Sequence, residues 1–80
     1  MNVRLLFFAG LRDSVGTAEM LYDVRDGPQT VAALREQLTT RYPDLALESV
    51  RVAINEDFVE ADHALAEADL VAFIPPVSGG

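Results

Sequence analysis

Short runs that are apolar at nearly every position open and close this chain, and alternating or helically spaced patterns fill the interval between them. Val3-Arg4-Leu5-Leu6-Phe7-Phe8-Ala9 is brief, aromatic-rich and followed by Gly10, which predicts a strand covered on both faces. Leu70 to Ile74 predicts a second such strand. From Glu19 to Arg25, Met20, Tyr22 and Val24 fall on one side and mostly charges on the other, the pattern of a half-buried strand closed by Asp26-Gly27-Pro28. Leu11 to Val15 leaves room for a single helical turn before Gly16.

Thr30 is suited to cap a helix in which Val31, Leu34, Leu38 and Tyr42 form one apolar stripe, and Pro43 stops it. Arg51 to Asn55 predicts a strand with Val52 and Ile54 inward. Asn55-Glu56-Asp57 then turns into a short strand, Phe58-Val59-Glu60. Asp62 to Asp69 is polar and alanine-rich and reads as a loop with room for one helical turn.

The predicted order is β-β-α-β-β-β. Strands apolar on both faces belong in the middle of a sheet, and the long route between the first and last permits a parallel pairing. An α+β fold follows: a mixed sheet with its first and last strands central and parallel, and one main helix across a single face. That is the β-grasp arrangement of ubiquitin-like domains. The domain is expected to span residues 1–74, with an extended tail over 75–80.

Strand parity assigns the two faces. Arg4 marks the outer face of the first strand, so Leu6 and Phe8 point outward while Val3, Leu5 and Phe7 point to the core. The matching choice on the last strand turns Leu70, Ala72 and Ile74 outward and Val71 and Phe73 inward. An apolar outer face on a one-helix sheet predicts a partner site. Its expected centre is Leu6, Phe8 and Ile74, with Arg12 at the edge.

The 80 residues suffice for one small domain, whose chain buries about 60% of its unfolded surface. Absence of cysteine excludes disulfides and thiolate chemistry, so packing alone must hold the fold. Thirteen acids against six bases give a formal charge of −7, which disfavours nucleic acid and anionic membrane as partners. All six bases are arginine, so no side-chain amine is available for isopeptide attachment. No apolar run reaches the roughly 18–20 residues of a membrane span, and Met1-Asn2-Val3-Arg4 lacks the layout of a signal peptide. A cytoplasmic protein is expected.

The tail reads Pro75-Pro76-Val77-Ser78-Gly79-Gly80. Two prolines make its root stiff and extended, and two glycines make its tip thin enough for a narrow crevice. Six extended residues reach at most roughly 20 Å, far enough to carry a terminal carboxyl into another protein's active site. The Gly80 carboxyl is therefore the expected reactive group. Nothing else in the chain suggests self-contained catalysis. His63, the lone histidine, sits in the polar loop, no phosphate-loop pattern involves Gly10 or Gly16, and Ser14 and Ser78 lack an activating histidine.

With these pieces in place the chain resembles the small, sulfur-carrying subunits of molybdopterin synthase. The resemblance rests on residues 3–9 with Arg12, on Thr30-Val31-Ala32-Ala33-Leu34, on Val52-Ala53-Ile54-Asn55, and above all on residues 71–80. It implies that an E1-like adenylyltransferase, using ATP and Mg, activates Gly80. A sulfur donor protein then leaves a thiocarboxylate there. The tail, with Gly79 giving clearance, Val77 and Ser78 along the channel walls and Pro75 and Pro76 setting direction, would deliver sulfur to cyclic pyranopterin monophosphate in the large synthase subunit. That assembly is implied to be a heterotetramer, and the chain itself binds no cofactor or metal. Sulfur carriers for thiamin, cysteine or tRNA thiolation, and lysine-conjugated modifiers, also end in Gly-Gly. The family's usual Gly-Asp-Glu before the last strand is here Ala68-Asp69-Leu70, which predicts an altered turn and a larger apolar outer face.

Overall fold

Strands from opposite ends of the chain, β1 (Asn2–Phe7) and β5 (Leu70–Ile74), lie side by side and parallel, with Arg4 opposite Leu70 and Phe7 opposite Phe73. The computed structural model describes residues 1–25, 27 and 29–76. Around the central pair, β2 (Glu19–Asp23), β3 (Arg51–Ile54) and β4 (Asp57–Val59) complete a five-stranded sheet in the order β2-β1-β5-β3-β4. Only the β1–β5 pairing is parallel. The β-grasp topology predicted from the two apolar runs is the one observed.

Two helices interrupt the strands, α1 (Gly10–Val15) and α2 (Val31–Arg41). The order is therefore β-α-β-α-β-β-β, with the single turn expected after Gly10 developed into a short helix. β1 stops at Phe7, two residues before the predicted end, because Ala9 takes φ 51 and ψ −130 and turns the chain out of the sheet. β2 likewise ends at Asp23, although Val24 stays buried.

Strand parity is obeyed throughout. Val3, Leu5, Phe7, Val71 and Phe73 are buried in one cluster with Val31, Leu34 and Leu38 from α2. Burying each large aliphatic side chain contributes about 1.5–3 kcal/mol. At the centre the Phe7 and Phe73 rings stack with centroids 5.5 Å apart and planes 10° from parallel.

The polar stretch before β5 performs a structural task that its composition conceals. The first backbone donors of α2 need partners, and three are met from outside the helix. Val31 N–H donates to His63 O at 3.0 Å, Ala32 N–H to Ala61 O at 2.8 Å, and Ala33 N–H to the Thr30 hydroxyl at 3.2 Å. Further on, Asp69 accepts from Ala66 N–H at 2.7 Å and from the Asn55 side chain at 3.1 Å, tying the loop to the β3–β4 turn.

Ala68, in the turn where an altered geometry was expected, takes a φ of 69, in the left-handed region that glycine favours. Its N–H is held by Asn2 O at 2.7 Å. The methyl group carries a conformational cost there of about 1 kcal/mol. Ala68→Gly is accordingly expected to stabilise the domain by about that amount, seen as a melting point higher by roughly 4–8 °C. An unchanged or lower melting point would mean that the backbone relaxes and carries no strain.

Candidate functional site: the outer sheet face and the root of the tail

With α2 packed on one side of the sheet, the other side carries the residues that parity turns outward. A single row crosses all five strands. Glu19 on β2 faces Leu6 on β1, Leu6 faces Ala72 on β5, Ala72 faces Ala53 on β3, and Ala53 faces Phe58 on β4. The two alanines form a shallow floor between the bulkier Leu6 and Phe58. Ala53 is buried by its neighbours on this face and takes no part in the core cluster. Leu6, Leu70, Ala72 and Ile74 are half-buried with no helix over them.

Phe8 lies just past the end of β1 and is 47% exposed. Leu11 N–H and Arg12 N–H close onto Phe8 O and Ala9 O, each at 3.1 Å, so α1 starts directly from this corner of the face. Arg12 is exposed on that helix, and no carboxylate pairs with it among the described residues. Leu6 and Ile74 thus lie half-buried on the side away from the core, and Phe8, past the end of the strand, is exposed. Arg12 follows Phe8 by four residues, within α1.

Pro75 is half-buried and Pro76 exposed, directly beyond β5. Of the expected tail residues, Val77, Ser78, Gly79 and Gly80 lie outside the described residues.

Two residues on this face escape the sequence argument. Phe58 is 53% exposed, and the Arg51 guanidinium sits 3.7 Å from the centre of its ring. Arg51 also stands opposite Ile74, beside the root of the tail. The signal was present in Asn55-Glu56. Both residues take positive φ, 50 and 77, forming a two-residue hairpin turn that pairs Ile54 with Asp57 and hence Ala53 with Phe58. A turn of that length fixes which side of the sheet Phe58 occupies.

Among the described residues no group of histidines, cysteines and acids is placed to hold a metal ion, and no helix is long and apolar enough to cross a membrane.

Fold and topology define a ubiquitin-like β-grasp domain. The SAMP1 structure from Haloferax volcanii, a small archaeal modifier protein, superposes with a TM-score of 0.81 at 29% identity, covering 100% of both chains. In a complex of subunits 1 and 2 of the molybdopterin-converting factor from Helicobacter pylori, one chain shares the fold at 21% identity. It has a TM-score of 0.73 and 100% coverage of both chains. The chain belongs to the ThiS family, whose model matches residues 5–80. It is 42% identical to the molybdopterin synthase sulfur carrier subunit of Escherichia coli, over 98% of this chain and 99% of that one.

Proposed function

We propose that this chain is a sulfur carrier for molybdopterin synthesis and that the Gly80 carboxylate is its working group. The observation that carries the reading is full-length similarity, at 42% identity, to a molybdopterin synthase sulfur carrier subunit. The apolar outer face running into Pro75 and Pro76 supports it.

A carboxylate is a poor electrophile, so an E1-like enzyme adenylates Gly80 with MgATP. Sulfur from a donor protein displaces AMP and leaves a thiocarboxylate. Leu6, Phe8, Ile74 and Phe58 dock the domain on the large synthase subunit, with Arg12 at the rim. Val77, Ser78 and Gly79 thread the tail toward the pocket in which the terminal sulfur attacks a cyclic pyranopterin phosphate. The carrier supplies sulfur and its delivery, and the large subunit supplies the pocket and the acid-base groups.

Intact-mass measurement after incubation with an activating enzyme, MgATP and a sulfur donor tests the first half. The expected change is one sulfur-for-oxygen exchange localised to Gly80. Conversion of the pterin with the large subunit tests the second half. Gly79→Val is expected to block both steps while leaving the melting point unchanged, since a β-branched side chain widens the tip next to the reactive group. Thiolation of that variant at the wild-type rate would overturn the narrow-channel argument.

Likeness to a small archaeal modifier protein supports a second reading, conjugation of Gly80 to lysines of target proteins. Isopeptide-linked adducts formed without any pterin conversion would favour it.

A further inference from the structure

Away from the docking face, β2 ends the sheet with an open edge and a groove beside it. It pairs with β1 alone. The bonds from Phe7 N–H to Ala18 O (2.9 Å) and from Val24 N–H to Met1 O (2.7 Å) set the phase of that ladder. Antiparallel pairs alternate, so Met20 and Tyr22 aim their backbone groups at β1, while Glu19, Leu21 and Asp23 aim theirs outward. The Thr17 hydroxyl already serves Glu19, donating to its carbonyl at 2.9 Å and accepting from its N–H at 3.4 Å. The backbone groups of Leu21 and Asp23 meet no partner among the described residues.

The groove between β2 and α2 has a volume of about 580 Å³ and is lined by Met20, Tyr22, Gln37, Arg41 and Tyr42 together with Asp23 and Arg25. Its floor is braced: Tyr22 O–H donates to Gln37 Oε1 at 3.2 Å, and Gln37 Nε2 donates to Arg25 O at 3.2 Å. In a chain of charge −7, this groove holds two arginines and one acid. That acid is already occupied. Asp23 accepts from Arg25 Nε at 2.7 Å and pairs with the amino group of Met1 at 3.3 Å, and these partners, Arg25 first, hold its carboxyl below the usual range. Arg41 stands 5.9 Å from the centre of the Tyr42 ring with no carboxylate partner among the described residues.

A second copy of this chain fits the edge poorly. Each copy carries a net charge of −7, and antiparallel pairing of β2 with itself about Leu21 would set Glu19, already paired with Arg4, opposite Asp23, already paired with Arg25, so that no opposite charge is gained across the seam. We propose that the β2 edge takes an extended segment of a different protein as an added strand, with apolar side chains over Met20 and Tyr22 and a carboxylate at Arg41. Main-chain bonds to Leu21 and Asp23 supply affinity, and the alternate side chains in the groove supply selectivity. The site is separate from the docking row on Leu6, Ala72 and Phe58, so both can be occupied together.

The test is an amide NMR titration of the full chain with a capped peptide, Thr-Val-Thr-Ile-Thr-Glu, whose period-two pattern puts Val, Ile and Glu on one side. Saturable shifts at Leu21, Asp23 and Arg41, with slowed exchange of the Leu21 amide, are expected. Replacing the peptide's Glu by Lys, or introducing Arg41→Glu, should each weaken binding by about ten-fold or more, the loss of one charge-assisted contact. Leu21→Pro removes an outward N–H and no bond to β1, so it should abolish binding in a folded domain. If that variant fails to fold, Arg41→Glu alone decides the matter. Absence of shifts at millimolar peptide, equal affinity for the Lys peptide, or shifts confined to Leu6 and Phe58 would each overturn the proposal. So would dimerisation through β2 without peptide.

Discussion

Phe7→Ala should lower the stability of the domain by about 3–5 kcal/mol, whereas Phe8→Ala should change it by no more than about 0.5 kcal/mol. The two residues are neighbours of the same type. Phe7 is 2% exposed and stacked on Phe73, while Phe8 is 47% exposed at the corner where β1 gives way to α1. An 80-residue domain has a total stability on the order of 4–12 kcal/mol, so the first loss removes much of it. Binding should show the reverse order. Exposed aromatics at the centre of an interface commonly carry about 2 kcal/mol or more, which is roughly thirty-fold in affinity for the large subunit. Urea melts and titration calorimetry on both variants decide it. A Phe8→Ala protein that unfolds, beside a stable Phe7→Ala protein that binds weakly, would invert the facing of the whole sheet.

Deleting Gly80, or adding one residue after it, should abolish sulfur transfer and leave the melting point where it was. The reason is chemical: the proposed adenylation would need the carboxylate of Gly80 itself, and an added residue converts it to an unreactive peptide bond. Docking should survive in both variants because Leu6, Phe8, Phe58 and Ile74 are untouched. Reconstituted pterin conversion, run beside a binding measurement, separates the two effects. Normal conversion by the extended variant would remove the carrier reading altogether, whereas loss of both binding and conversion would point to the tail as a docking element.

Much of this architecture was legible because period-two parity needs only one reliable anchor. Arg4 provided it: one charged residue in an apolar run assigned Leu6 and Phe8 outward and Phe7 inward, and by matching Phe73 as well. Thr30 and Pro43 bracketed α2 for equally local reasons, a side-chain cap at one end and a residue that cannot continue a helix at the other. What stayed hidden depended on backbone conformations in non-glycine residues. Ala9 at φ 51 ends β1 early, and Ala68 takes φ 69 in the turn before β5, yet alanine signals neither. Phe58 was missed because the side of the sheet it takes depends on the Asn55-Glu56 turn, not on its own neighbours. The loop before β5 looked unstructured since its work, completing the donors of α2, is done by backbone carbonyls that any residue supplies.

The parallel pairing of β1 with β5 also governs when the domain can form. Its central ladder joins the two ends of the sequence, so closing it incurs the entropy of nearly the longest loop the chain offers. High contact order of this kind slows folding. During synthesis Phe7 must wait for Phe73, and every shorter nascent chain leaves the first strand without its stacking partner. Folding is thus deferred until β5 has left the ribosome. The outer-face row, which takes Ala72 from that same strand, cannot be assembled in a chain that has not yet made the residues leading into its tail.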